Sequence, residues 1–117
     1  MSVDFVAIDF ETATHEYDSA CEIGVSIVED GIVAESFSRL IRPPTRNFNP
    51  HNMRLHGISW DLVKDQPDFR QVWDDLMPKL GAAAYFVAHN AGFDQKVLSA
   101  CCDYCGAEVP GKCAGSP

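Results

Sequence analysis

Asp9 and Glu11 stand two positions apart at the end of the apolar run "FVAIDFETA". In an extended strand residues i and i+2 point to the same face, so the two carboxylates project together. Like charges that close destabilise each other unless a cation sits between them. Hard divalent ions such as Mg²⁺ and Mn²⁺ meet that need, because they prefer carboxylate oxygen and keep positions open for water and phosphate oxygens. Taken alone, the pair reads equally well as a solvent-exposed acid pair at a strand end. A third acid, Asp94, follows the run "AYFVAH" within "HNAGFD", about one helical turn beyond a second strand end. With those two strands side by side, three carboxylates converge. Two metal ions about 3.5 to 4 Å apart on such acids can activate a water and stabilise the leaving oxygen of a phosphodiester.

The elements that must position these acids are legible in the pattern. Residues 3–10 read as a strand, and "CEIGVSIVEDGIVAESFSRLIRP" reads as two more joined at Glu29-Asp30-Gly31, since Asp-Gly between β-branched runs signals a hairpin. Pro43 and Pro44 break that pattern, and "NFNPHNMRLHGIS" reads as a loop with a short helical turn. Ser59 fits as the N-cap of "WDLVKD". Phe69, Val72, Trp73, Leu76, Met77 and Leu80 fall at helical spacing before Gly81, with Pro78 placed to kink the last turn. "AAYFVAH" then reads as a buried strand, and "AGFDQKVLSACCDYCG" as a helix ending at Gly106. The order predicts an α/β fold: a mixed sheet of three antiparallel strands plus a parallel one, the last beside the first, with flanking helices. Ligand sites in such sheets gather where strands end and helices begin.

A chain of 117 residues with 46% hydrophobic content suits one domain. The expected domain spans residues 1–106, and residues 107–117 read as a tail. No secretory signal opens the sequence, and the longest apolar segment, "AAAYFVA", is far short of the about 18 residues a membrane span needs. A cytoplasmic protein without membrane contact is the expectation. The formal charge of −8, from 17 acids against nine bases, repels polyanions at long range. Any phosphate partner therefore needs local help, which Arg39, Arg42, Arg46 and Arg54 offer in "RLIRPPTRNFNPHNMR"; a solvated loop is the plainer reading of that stretch. The five cysteines are odd in number and read as reduced thiols. "CDYC" has metal-like spacing, but Cys101, Cys102 and Cys105 continue a helical pattern, which favours core or helix-face cysteines over zinc.

Together, "VAIDFETA", "LHGIS" and "FVAHNAGFD" resemble the DEDD 3′-to-5′ exonucleases, in the histidine-bearing branch that includes the proofreading epsilon subunit of bacterial DNA polymerase III. The resemblance covers about residues 3 to 106. It implies a ribonuclease H-like fold and Mg²⁺- or Mn²⁺-dependent removal of nucleotides from a 3′ end of single-stranded DNA or RNA. Asp9 and Glu11 match the metal-binding acids of the first motif, and Asp94 matches the acid of the second. Phe10 and Thr12 match positions that touch the terminal nucleotide, and Asn90 and Phe93 lie in the second motif. Phe93 either stacks on a base or packs the helix against the sheet. His56 either approaches the substrate or orders its loop.

The family pattern also requires a third motif, a histidine acting as general base followed five positions later by a fourth metal-binding aspartate. No histidine follows Asp94 in this sequence. His89 and Asp94 have the required spacing, as do His56 and Asp61, but Asp94 already serves the second motif; His15 has no acid five residues on. The two-metal site is thus expected to be impaired at one position, with cleavage weak unless a DNA polymerase, another copy of the chain or some other partner completes it. The absent segment is expected to leave an apolar patch on the sheet. A non-catalytic module that binds nucleic acid or a polymerase is the competing reading, and a zinc-binding interaction domain is a third.

Overall fold

The computed structural model describes residues 4–80, 85–88, 90–109 and 113–115. Strand β1 (Phe5–Thr12) alternates strictly: Val6, Ile8, Phe10 and Thr12 are buried, while Phe5, Ala7, Asp9 and Glu11 face the other way. Antiparallel to it runs β2 (Ala20–Glu29), which turns into β3 (Ile32–Leu40). The turn is the predicted Asp-Gly pair, with φ of 53° at Asp30 and 78° at Gly31. Two successive positive φ values give the turn a twist that matches the flanking strands, and Asn, Asp and Gly tolerate them.

On the chain then come α1 (Pro50–His56), α2 (Trp60–Val63) and α3 (Phe69–Leu80), followed by β4 (Phe86–Ala88) and α4 (Ala91–Cys105). Asn49 caps α1 through its side chain, accepting from the amides of His51 and Asn52, as an N-cap should. Ser59 takes the N-cap position of α2 with extended backbone but makes no side-chain cap bond. Helix α3 continues through Pro78 to Leu80, and α4 stops at Gly106 as the sequence predicted.

Four strands occupy the expected places, although β4 is only three residues long, and Ala83, Ala84 and His89 of the predicted strand lie outside the described residues. A fifth strand, β5 (Cys113–Gly115), falls in the segment read as a tail and pairs parallel to β4. The sheet order is β3-β2-β1-β4-β5. No helix among the described residues is long and apolar enough to cross a membrane.

One face of the sheet carries the core. Val6, Ile8, Phe10, Ile23, Val25 and Ile27 receive Phe69, Val72, Trp73, Leu76 and Leu80 of α3 and Val97, Leu98, Cys101 and Cys102 of α4. Fully burying each large apolar side chain contributes about 1.5 to 3 kcal/mol. Phe10 meets Phe69 with centroids 6.5 Å apart, and Phe69 stacks on Trp73 at 5.5 Å. The other face is arranged in cross-strand rows by the register: Ala7, Ser26 and Ser36; Asp9, Gly24 and Ser38; Glu11, Glu22 and Leu40. These rows are mostly small and acidic, while the next row, Phe5, Val28 and Val33, is apolar, with Val33 exposed. At the Leu40 end, Cys21, Ile58 and Val63 form a second small cluster with Phe48 and Trp60 packed against it.

Candidate active site

Parallel pairing of β1 with β4, Val6 to Phe86 and Ile8 to Ala88, brings the start of α4 beside the acidic end of β1. Asp94 lies in the first turn of α4 and is 1% exposed. Its Oδ1 accepts from the amide of Phe10 at 2.9 Å, and its Oδ2 accepts from the amide of Asn90 at 2.7 Å. The donor amide on β1 belongs to Phe10, the residue between Asp9 and Glu11. All three predicted acids therefore gather at one strand end. They are not assembled into a finished ion cradle, however: among the described residues, no group of three His, Cys, Asp or Glu side chains is placed to hold a metal ion. Asp94 has its carboxylate turned to backbone amides, a charge-assisted arrangement that suits a buried acid.

Asp9 is exposed and Glu11 half-buried, both on the face opposite the core. Glu22 stands directly across from Glu11 on β2. Burial, and then the nearby charges of Glu11 and Asp9, push the Glu22 carboxyl above its ordinary range, with His56 acting in the opposite sense. Negative charge thus accumulates on this face beyond the pair seen in sequence. The donor set is hard oxygen, which fits Mg²⁺ or Mn²⁺ rather than a soft metal.

Alternation also fixes where two further predicted residues stand. Phe10 and Thr12 point away from Asp9 and Glu11; Phe10 is 4% exposed and belongs to the core, so its part in the site is its amide, not its ring. Thr12 is buried at the strand end, where its carbonyl accepts from Nδ2 of Asn52 at 3.1 Å and from Nε2 of His56 at 2.9 Å. His56 accepts at Nδ1 from the amide of Ile58 at 3.0 Å. An acceptor at Nδ1 and a donor at Nε2 define one neutral tautomer. The ring is therefore hydrogen-bonded at both nitrogens, which orders the loop that follows α1.

Beside Glu11 opens a cleft of about 430 Å³ lined by Glu11, Thr12, His51, Leu55, His56 and Phe93, among others. Phe93 is half-buried and meets Tyr17 edge-on at 6.3 Å. Leu55 is largely exposed although apolar. Asn90 occupies the N-cap position of α4, where its carbonyl accepts from the amides of Phe93 and Asp94 and its side chain makes no cap bond. Leu55, His51 and Tyr17 carried no signal in sequence, because only the packing of α1 beside β1 makes them walls of the same space.

The arginine-rich stretch is largely spent within the fold. Arg39 pairs with Asp75 at 3.4 Å, Arg42 with Asp68 at 3.9 Å and the Gln66 carbonyl at 3.0 Å, and Arg46 lies over the Trp60 ring at 5.7 Å. Arg54 is exposed on the last turn of α1, without an ion pair among the described residues. Among the described residues no cysteine belongs to a group placed to hold a metal ion. Cys101 donates to the carbonyl of Tyr17 and Cys105 to that of Cys102, and burial pushes the thiols of Cys21, Cys101 and Cys102 up to about 12.

A family model described as "Exonuclease" (RNase_T) matches residues 6–110. Exodeoxyribonuclease 10 of Escherichia coli strain K12 is 37% identical over 78 residues, which cover 66% of this chain and 33% of that protein. Exonuclease X, solved in complex with 5′ overhanging duplex DNA, superposes with a TM-score of 0.70 at 31% identity, covering 93% of this chain and 57% of that one. The nuclease domain of 3′hExo, a DEDDh family member solved with rAMP, superposes with a TM-score of 0.73 at 22% identity, covering 93% and 63%. Both share the ribonuclease H-like mixed sheet. The chain spans about a third of the length of the curated relative it matches.

Proposed function

Because this chain belongs to the exonuclease (RNase_T) family and is homologous to 3′-to-5′ exonucleases, we propose that it supplies the binding half of a metal-dependent site acting on a nucleic-acid 3′ end. The observation that carries this reading is the bond from the Phe10 amide to Asp94, which ties the second acidic segment to the strand position between Asp9 and Glu11. Asp9 and Glu11 would hold a divalent cation, Mg²⁺ or Mn²⁺. Their shared face, their oxygen chemistry and the surplus negative charge felt by Glu22 support that fit. Such an ion, when bound, would help activate water and stabilise charge on the phosphodiester.

The residues of this chain then do the following. Asp94 holds α4 against β1 and so fixes Phe93 and Asn90 relative to the acids. The cleft beside Glu11 receives the terminal nucleotide, with Leu55 and Phe93 offering apolar surface to a base and Thr12 lying at its strand end; Asn90 caps the helix that carries Phe93. Aromatic and apolar contact of this kind is tolerant of sequence and suits single strands. His56 keeps the Thr12 carbonyl and the α1 end in place rather than moving a proton. The substrate is DNA or RNA, and the setting is the cytoplasm.

The sequence has no histidine after Asp94, where the family's general base would stand, and a base of that kind contributes about 10²- to 10⁴-fold. These 117 residues by themselves are therefore expected to bind a 3′ end and cleave it slowly. Incubation of 3′-labelled single-stranded DNA and RNA with Mn²⁺ tests this. The expected outcome is binding that D9A weakens and slow release of label that D9A abolishes. Failure of the wild-type chain to bind either strand or Mn²⁺ would overturn the reading.

A further inference from the structure

Gly24 lies in the interior of β2, directly opposite Asp9 in the register. Nothing in its backbone calls for glycine: Gly31, Gly57 and Gly106 take positive φ, and Gly24 does not. A strand-interior glycine gives up packing and conformational economy, and commonly marks a close approach by another group. That group is the Asp9 side chain. A Cβ built on Gly24 would overlap Oδ1 of Asp9, with Cγ at 3.2 Å and Oδ2 at 3.7 Å. By contrast, a Cβ at Gly92 would meet nothing within 4 Å. The Asp9 carboxylate therefore lies across β2 in space that any other residue at position 24 would fill, instead of standing away from the sheet into solvent.

We propose that Gly24 is a positioning residue: by lacking a side chain it lets the Asp9 carboxylate lie across β2, and so sets where the sheet face holds a divalent cation. The proposal rests on the reading of Asp9 as a metal-binding acid. Asp9 is exposed, so an added methyl displaces its carboxylate by rotation without having to break the strand pairing. Changes to a group that orients a metal-binding side chain typically cost 10- to 100-fold in metal affinity.

The experiment measures Mn²⁺ binding to the whole chain by electron paramagnetic resonance of the free ion, together with melting in EDTA. The variants are G24A, D9A, the double variant D9A/G24A, and S26A as a control on the same face of β2. G24A is expected to weaken Mn²⁺ binding about tenfold, leave metal-free melting close to wild type, and have no further effect in the D9A background. S26A is expected to bind as wild type does. Equal affinity of G24A and wild type overturns the proposal, as does a tenfold loss that recurs in D9A/G24A relative to D9A. Absence of Mn²⁺ binding by the wild type overturns the metal reading itself and this proposal with it. Should G24A not fold, recovery of folding in D9A/G24A supports the clash with Asp9, and continued unfolding overturns it.

Discussion

Asp94 and Phe10, 84 positions apart, are joined by a 2.9 Å bond from the strand amide to a carboxylate buried to 1% exposure. The same carboxylate takes the Asn90 amide with its other oxygen. Removing an acceptor from buried donors costs their desolvation as well as the bonds, about 1 to 3 kcal/mol for each. D94A is expected to lower stability by about 3 kcal/mol, measured by urea unfolding, and D94N to fall between, since its amide group turns a donor toward one N–H. A loss under about 1 kcal/mol for D94A would contradict a latch at this position.

Glu22 gives a pH signature. Its carboxyl is raised above the ordinary 4.5 by burial first and by Glu11 and Asp9 next. The folded chain therefore holds this proton to higher pH than the unfolded chain does, and its stability falls as pH rises through that window. E22Q is expected to melt higher than wild type above the raised value, with the advantage vanishing below the ordinary one. Melting curves from acid to neutral pH check this; a constant difference across the range would contradict it. The gain is modest, because the side chain is only half-buried.

His56 is expected to show a protonated Nε2 and an unprotonated Nδ1 in ¹⁵N-resolved spectra of the neutral ring. H56A leaves the Thr12 carbonyl and the Ile58 amide without these partners. Thermal or urea unfolding should show a loss of about 1 to 2 kcal/mol. The opposite tautomer would show that the loop is ordered some other way.

The buried thiols make a chemical test of packing. Thiolates are the reactive form, and values near 12 leave Cys21, Cys101 and Cys102 almost wholly protonated at pH 8. Mass spectrometry after iodoacetamide treatment is expected to find those three unmodified in the folded chain and modified in urea. Rapid alkylation of Cys101 or Cys102 without denaturant would contradict their placement in the core.

Local rules made much of this fold readable. Asp30-Gly31 named its own turn, and the spacing from Phe69 to Leu80 named the face that α3 buries. The parity that puts Asp9 and Glu11 together also sends the Phe10 ring to the core and buries Thr12 at the strand end, a consequence available in the sequence. Other features depend on pairings that no local signal encodes. Strand β5 is three residues ending in glycine, defined only by its place beside β4. The relation of Gly24 to Asp9 needs the register, and the cleft needs α1 folded back against the end of β1. The bond from Phe10 to Asp94 joins two motifs that sequence could set in order but not in contact.

Among the described residues β1 and β4 share three matched residue pairs, whereas β1 and β2 share eight. The hairpin strands are neighbours in sequence and can zip together early, while β4 must arrive from the far half of the chain against a larger loop-closure entropy. On that loop-closure argument the site is expected to form late in folding, with local opening easiest along the seam. Amide hydrogen exchange at Phe10 would read this directly, since its N–H is shielded only while α4 is docked. A site assembled across that joint stays incomplete in any partly folded chain.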